Sequence, residues 1–243
     1  MRTVIVVPTY NEASYIERLI FEILYFQPEF DILVVDDNSP DGTGKLVKEL
    51  SKESDRIKIL RQPKKSGLGR AYLEGFKYAL SLNPPYDRII QMDADFSHHP
   101  KYLSDLINAT QDKDISIGSR YIAGGKILDW KLNRKVLSYV ANLFTPFWLG
   151  LEIKDCTSGF RCFRREVLDN IGLEKIKSNG YLFQIEILNR CLRLGFSYKE
   201  IPITFTERKK GKTKLGFYEV WEAIWGVLRL RFLDKNPIKN SIA

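Results

Sequence analysis

The sequence predicts a mainly parallel α/β sheet flanked by helices, built as a single domain that ends in an amphipathic helix. Three observations lead there. Short β-branched runs alternate with segments of helical periodicity, polar motifs follow those runs directly, and no repeat or low-complexity linker divides the 243 residues. Strand–helix alternation of this kind gives a sheet covered on both faces, with ligands bound beyond the carboxyl ends of its strands.

Taken in order, "TVIVV" (3–7), "DILVV" (31–35), "RIKIL" (56–60), "DRIIQM" (87–92) and "DISIGS" (114–119) are strands by length and composition. The intervening "ASYIERLIFEILYF", "TGKLVKELSKES", "GLGRAYLEGFKYALSL" and "KYLSDLINAT" carry apolar residues at helical spacing. "PTYNE", "DDNSPDGT", "DADFSHHP" and "GSRY" sit where strands one, two, four and five end. Past residue 125 the alternation breaks. A helix near 131–148 leads to "DCTSGFRCF", a helix "YLFQIEILNRCLRLG", a strand "SYKEIPITFTE", a basic loop and a last helix. We divide the domain into a ligand-binding half (1–125), a second half (126–216) and a C-terminal helix with its tail (217–243).

Hydrophobic residues make up 44% and aromatic residues 12%, which belongs to a folded chain. A formal charge of +8 favours an anionic partner. Three cysteines without a CxxC pair indicate neither a zinc site nor a disulfide framework, and a reducing compartment fits. A strand begins almost at Met1, so no signal peptide is expected. The longest uncharged run, 136–151, would span about 24 Å as a helix against the ~30 Å of a bilayer core, and it contains Asn142 and Pro146. It is not expected to cross a membrane.

Common phosphate loops are absent. "GKT" at 211–213 lacks the earlier glycine of GxxxxGK[ST], and "GLGRAY" has Tyr72 where GxGxxG wants glycine. Carboxylates offer another way to hold a nucleotide. Asp93 and Asp95 stand at i and i+2 where a strand gives way to a loop, and Mg²⁺ or Mn²⁺ takes one or two carboxylates plus substrate phosphates. The competing reading is that Asp95 or Ser97 caps the helix after Pro100; Asp36 and Asp37 on a neighbouring strand end weigh against it. His98 and His99 are adjacent rather than at helical spacing, which suits loop scaffolding better than metal binding. "RKKGKTK" (208–214) reads first as a solvated face, and its glycine also allows a loop that folds over phosphates. Residues 207–243 hold nine Lys/Arg against four Asp/Glu. The last helix places Glu219, Glu222, Gly226 and Arg229 on one stripe. Trp148, Trp221 and Trp225 suit a membrane interface or docking on the sheet.

Together "VIVVPTYNE", "VVDDNSPDGT", "GLGRAYLEGF", "MDADFSHHP", "GSRY", "DCTSGFRCF", "YLFQIE" and "EIPITFTERKKGKTK" resemble the inverting family 2 glycosyltransferases of the GT-A fold. Within them the chain is similar to the dolichyl- or polyprenyl-phosphate mannose synthases, a branch to which "SHHP" and "TSGFR" point. Two features depart from relatives: Ser97 stands where some carry a metal-binding Gln, and the chain lacks the transmembrane helices with which many continue.

The resemblance implies transfer of mannose from GDP-mannose to a dolichyl or polyprenyl phosphate with inversion. It implies a base and ribose pocket of Pro8, Tyr10, Glu12 and Asp37, and Asp93 facing ribose and sugar. Asp95 would be the main metal ligand, with Asp93 beside it and Mg²⁺ or Mn²⁺ as cofactor. Arg208 and Lys214 would close over the diphosphate. Arg120, Arg134 and Ser138 would hold the acceptor phosphate, arginine suiting that task through bidentate geometry. It also implies peripheral contact with the cytoplasmic face of a membrane, possible use of a small anchoring subunit, and no nucleic-acid partner. UDP-glucose as donor and a non-catalytic lipid-phosphate-binding subunit stay open at this point.

Overall fold

The computed structural model describes residues 1–207 and the helix Phe217–Leu233, the latter with side chains over 224–232. Arg208, Lys214, the rest of the basic run and the Trp221 side chain lie outside the described residues.

The elements follow the chain as β1 (Thr3–Thr9), α1 (Ile16–Phe26), β2 (Asp31–Asp36), α2 (Thr43–Glu53), β3 (Ile57–Arg61), α3 (Leu68–Ser81) and β4 (Arg88–Gln91). After a 3₁₀ turn at Pro100–Tyr102 come α4 (Leu103–Ala109), β5 (Ile115–Ser119), β6 (Lys126–Leu128), α5 (Leu132–Leu149), β7 (Arg161–Arg164) and α6 (Arg165–Asn170). A second 3₁₀ turn, Leu173–Lys175, precedes α7 (Gly180–Arg193), β8 (Tyr198–Pro202), β9 (Thr204–Thr206) and α8 (Phe217–Leu233). The seven-stranded sheet runs β3-β2-β1-β4-β7-β5-β8, and β6 pairs with β9 in a separate parallel ribbon.

Every residue of β1 and β2 is buried, because helices cover both faces. Successive side chains divide between two cores. Val4 and Val6 join the layer of α3, α6 and α7, while Ile5 and Val7 join that of α1, α2 and α4. Helix α3 lies close on the sheet at Gly75, where a Cβ would stand 2.5 Å from Val6 Cγ1 and 2.9 Å from Val35 Cγ2. That approach carries Tyr72, one turn earlier, to the end of β4.

The five expected strands of the first half are all present. The second half differs from expectation. "RCFR" (161–164), at the end of "DCTSGFRCF" and one residue past it, forms β7, antiparallel to both β4 and β5 and lying between them. The sheet is therefore not confined to 1–125. "SYKEIPITFTE", read as one strand, divides after Pro202: β8 stays at the sheet edge beside β5, and β9 leaves to join β6. Among the described residues no helix is long and apolar enough to cross a membrane. All three cysteines are buried and unpaired.

Candidate active site

The polar motifs converge at the carboxyl ends of β1, β2, β4 and β5. Among the described residues four non-glycine residues have positive φ: Asn11, Asn38 and Phe96 in the loops here, and Asp129 after β6. Asparagine and aspartate tolerate that conformation, whereas for a phenylalanine it costs on the order of 1–2 kcal/mol. Phe96 is held by its ring, which meets Tyr15 edge-on at 6.3 Å and lies under the Arg18 guanidinium at 4.9 Å.

Directly before that residue stand the two acids. Tyr72 Oη donates to Asp93 Oδ1 at 2.7 Å. Tyr72 is fully buried and stacked on Phe183, and burial with the nearby acid pushes its pKa far up, so it remains a donor. From the other side the Asp93 backbone N–H donates to His98 Nδ1 at 3.3 Å. The His98 ring lies flat on Phe160, 5.0 Å between centroids, and meets Phe205 edge-on. Burial lowers its pKa to about 4, so it is neutral at pH 7 and serves as a loop scaffold, as expected. Ser97 N–H donates to Asp95 Oδ1 at 3.1 Å. The cap that the competing reading gave to Asp95 or Ser97 comes from His99, whose Nδ1 accepts from Lys101 N–H. Asp95 is thereby left at the cleft, half-buried. Two carboxylates two residues apart at a strand end are the hard-oxygen donors that Mg²⁺ or Mn²⁺ takes together with phosphates. Among the described residues no group of three or more His, Cys, Asp or Glu could complete such a site, so the remaining ligands would come from substrate and water.

At the ends of β1 and β2, Pro8 is buried within β1 and Glu12 is half-buried where α1 approaches. Asp37 is buried, and its carboxylate accepts from Ser66 N–H, Ser66 Oγ and Gly67 N–H at 2.7, 2.7 and 2.8 Å. It therefore ties β2 to the start of α3 as well as facing this corner. The Tyr10 ring carries the Lys65 ammonium at 3.7 Å.

After β5, Arg120 is not available as a fork. Its Nε and Nη2 donate to Asp155 at 2.7 and 2.6 Å, and Nη2 also donates to Thr157. Burial alone would raise the Asp155 carboxyl, but Arg120 outweighs it and holds the pKa below the ordinary value. The bidentate edge expected to grip phosphate is thus given to Asp155, and Nη1 is the nitrogen outside these bonds. Trp130, Phe205 and Tyr121 surround the guanidinium at 5.6, 5.3 and 5.4 Å. Arg134 lies over the Trp130 ring at 4.1 Å and donates to Glu207 at 2.6 Å. Ser138 Oγ accepts from Tyr121 Oη at 2.7 Å.

A model of the family described as "Glycosyl transferase family 2" matches residues 4–172. The chain belongs to glycosyl transferase family 2. A polyprenol monophosphomannose synthase of Mycolicibacterium smegmatis is 43% identical over 233 residues, covering 93% of this chain and 87% of that one. An undecaprenyl-phosphate mannosyltransferase of Micrococcus luteus is 40% identical over 229 residues, covering 94% and 93%. Among solved structures, the mannosyltransferase PcManGT of Pyrobaculum calidifontis, in complex with GDP-Man and Mn²⁺, aligns with a TM-score of 0.64 at 17% identity. That alignment covers 97% of this chain and 66% of the other. The glucosyl-3-phosphoglycerate synthase of Mycobacterium tuberculosis with Mn²⁺, UDP and glucosyl-3-phosphoglycerate aligns at 0.67 and 17% identity, covering 95% and 80%. The fold is that of the GT-A glycosyltransferases, and the chain is a family 2 glycosyltransferase.

Several residues of this family 2 site carried no assigned role in the sequence reading. Tyr72 was noted only for breaking a glycine motif, and Asp155 and Thr157 stood unassigned inside "DCTSGFRCF". Glu207 stood beside a basic run that masked it. Tyr181, at the start of α7, lies within electrostatic reach of Arg134, Asp93 and Arg120. Position relative to predicted strand ends was the one available signal, and it favours Arg120 and the acids over residues supplied by later elements.

Proposed function

We propose that this glycosyltransferase moves mannose from GDP-mannose to a polyprenyl or dolichyl phosphate, with inversion at the anomeric carbon. The single observation that carries the reading is the nearness of a strand-end pair of acids, Asp93 and Asp95, to a cluster containing Arg120, Arg134 and Ser138: His98 accepts from Asp93 N–H and meets Phe205, whose ring lies 5.3 Å from the Arg120 guanidinium. The names of the relatives at 40–43% identity support the sugar and the lipid phosphate.

Pro8, Tyr10, Glu12 and Asp37 would receive base and ribose, and Asp93 the sugar, held in place by Tyr72 and His98. Asp95, with Asp93, would hold a divalent ion, which supplies charge neutralisation on the leaving diphosphate. Arg208 and Lys214 are assigned to the same diphosphate. Arg134, with Arg120 Nη1 and Ser138, would orient the acceptor phosphate. A phosphate monoester, with a second pKa near ~6, is already anionic at neutral pH and needs no general base. The state of His98 agrees: burial makes it a weak base, with its pKa lowered to about 4, and its Nδ1 lone pair already accepts a hydrogen bond.

Peripheral membrane contact belongs to the same reading. Helix α5 turns Asn142 and Thr145 inward and exposes Leu132, Val136, Tyr139, Leu143 and Phe147, the last at 82%. Trp225 and Phe232 of α8 are exposed at 52% and 71%. Of the two alternatives left open for Trp148, the interface and docking inward, the ring follows the second: it packs toward the core, stacked on Phe144 with Arg231 over it. An amphipathic helix with an outward apolar stripe can lie in a bilayer interface. A small anchoring subunit is not part of the proposal. The deciding experiment offers GDP-mannose and UDP-glucose separately, with a polyprenyl phosphate and Mg²⁺ or Mn²⁺. Mannosyl lipid formed only from GDP-mannose is the expected result, and glucosyl lipid in its place would overturn the donor assignment.

A further inference from the structure

Each arginine assigned to the lipid phosphate already faces a carboxylate, Arg120 with Asp155 and Arg134 with Glu207. The two pairs differ. Arg120 and Asp155 are 7% and 0% exposed and joined through two guanidinium nitrogens, a locked arrangement. Arg134 and Glu207 are 22% and 26% exposed and joined by one bond from Nη1. Among the described residues Arg134 Nε is buried without an acceptor, so within them this guanidinium is incompletely satisfied. The fold delivers Glu207 to that place. Leu128 of β6 stands opposite Thr206 of β9, and just beyond them Trp130 packs on Phe205 at 5.3 Å and beneath Arg134.

We propose that Glu207 is a charge filter on the acceptor site, admitting a phosphomonoester dianion and turning away phosphodiester monoanions. The inference rests on the reading that Arg134 receives the lipid phosphate. A monoanion that displaces Glu207 exchanges one unit charge on Arg134 for another and gains nothing from the exchange. A phosphomonoester carries about −1.5 to −2 at neutral pH, so it attracts Arg134 more strongly than the resident carboxylate does. Glu207, partly exposed, can then turn to solvent. A membrane presents mostly phosphodiester headgroups, and discrimination of this kind needs a repulsive element as well as an attractive one. Glu207 supplies the repulsion.

The test measures mannosyl transfer to a short polyprenyl phosphate, with a dialkyl phosphate of equal carbon number as competitor. In the parent the diester should inhibit weakly. In Glu207→Gln its inhibition constant should fall about two- to fivefold, the order expected for a partly exposed charge contact. Glu207→Asp, which keeps the charge, should retain the discrimination. Donor binding by calorimetry and a thermal melt control for folding. An unchanged ratio of diester to monoester affinity in Glu207→Gln would overturn the filter, and so would a rise in acceptor KM without any gain in diester inhibition. Arg134→Ala tests the underlying reading separately: if it leaves acceptor KM unchanged, the phosphate lies elsewhere, whatever Glu207→Gln does.

Discussion

Replacing Asp155 with Asn keeps the volume of a fully buried side chain and removes its charge. Asp155 accepts from Arg120 N–H, Nε and Nη2 at 3.0, 2.7 and 2.6 Å, so the variant strands a guanidinium that is only 7% exposed. Removing one partner of a buried pair costs about 3–5 kcal/mol, because the remaining charge stays desolvated. In a chain of this length each kcal/mol moves the melting midpoint by about 2–4 °C, so a fall of about 10 °C is expected. Thermal and urea melts of Asp155→Asn, Arg120→Met and the double variant would measure it, with the double less destabilised than the two losses added. The pH dependence has a fixed sign. The native Asp155 pKa lies below its ordinary 3.8, so its contribution is complete above that value and is lost as pH falls through the native one. Asp155→Asn should flatten that acid limb. A loss under about 1 kcal/mol, or strict additivity in the cycle, would refute the view that this pair holds the acceptor side together.

Asp95→Ala should abolish transfer while leaving the thermal melt in place, and a parent fully active in chelator would remove the metal from the scheme. Tyr72→Phe keeps the stacked ring and deletes the 2.7 Å bond to Asp93; a hydrogen bond to a charged group is worth about 1.5–3 kcal/mol, so kcat should fall on the order of tenfold or more. An unchanged kcat in that variant would mean Asp93 is positioned without it. Leu143→Glu with Phe147→Glu alters side chains that are 64% and 82% exposed, so the fold should stand while flotation with anionic vesicles is lost. Retained flotation would take the α5 face out of the membrane reading.

What could be read from the sequence followed burial. β1 and β2 are covered on both faces and announce themselves as unbroken apolar runs. β7 does not, because Arg161 and Arg164 flank it and its inward-facing Arg161 is wholly buried. That guanidinium donates to the Gln184 and Cys156 carbonyls at 2.7 and 2.9 Å, a set of partners no local pattern reveals. Burial draws its pKa down to about 10. The acids of the site were legible because they end a strand, and Arg120 for the same reason. Asp155, Glu207 and Tyr72 were not, since each earns its place through a partner 21 to 73 residues away.

The antiparallel β7 has a consequence for how the chain is made. As residues emerge in order, β1 to β4 can assemble early, yet β4 keeps an open edge and β5 has nothing beside it until residue 164 has appeared. The central seam closes only by reaching back from β7 to β4 across some 70 residues. Long-range closure of this kind is slow and leaves a strand edge exposed to other chains meanwhile. A nascent chain arrested near residue 125 would be a sheet with an open side, and the ability to bind nucleotide should arise abruptly, late in synthesis, rather than accumulate strand by strand.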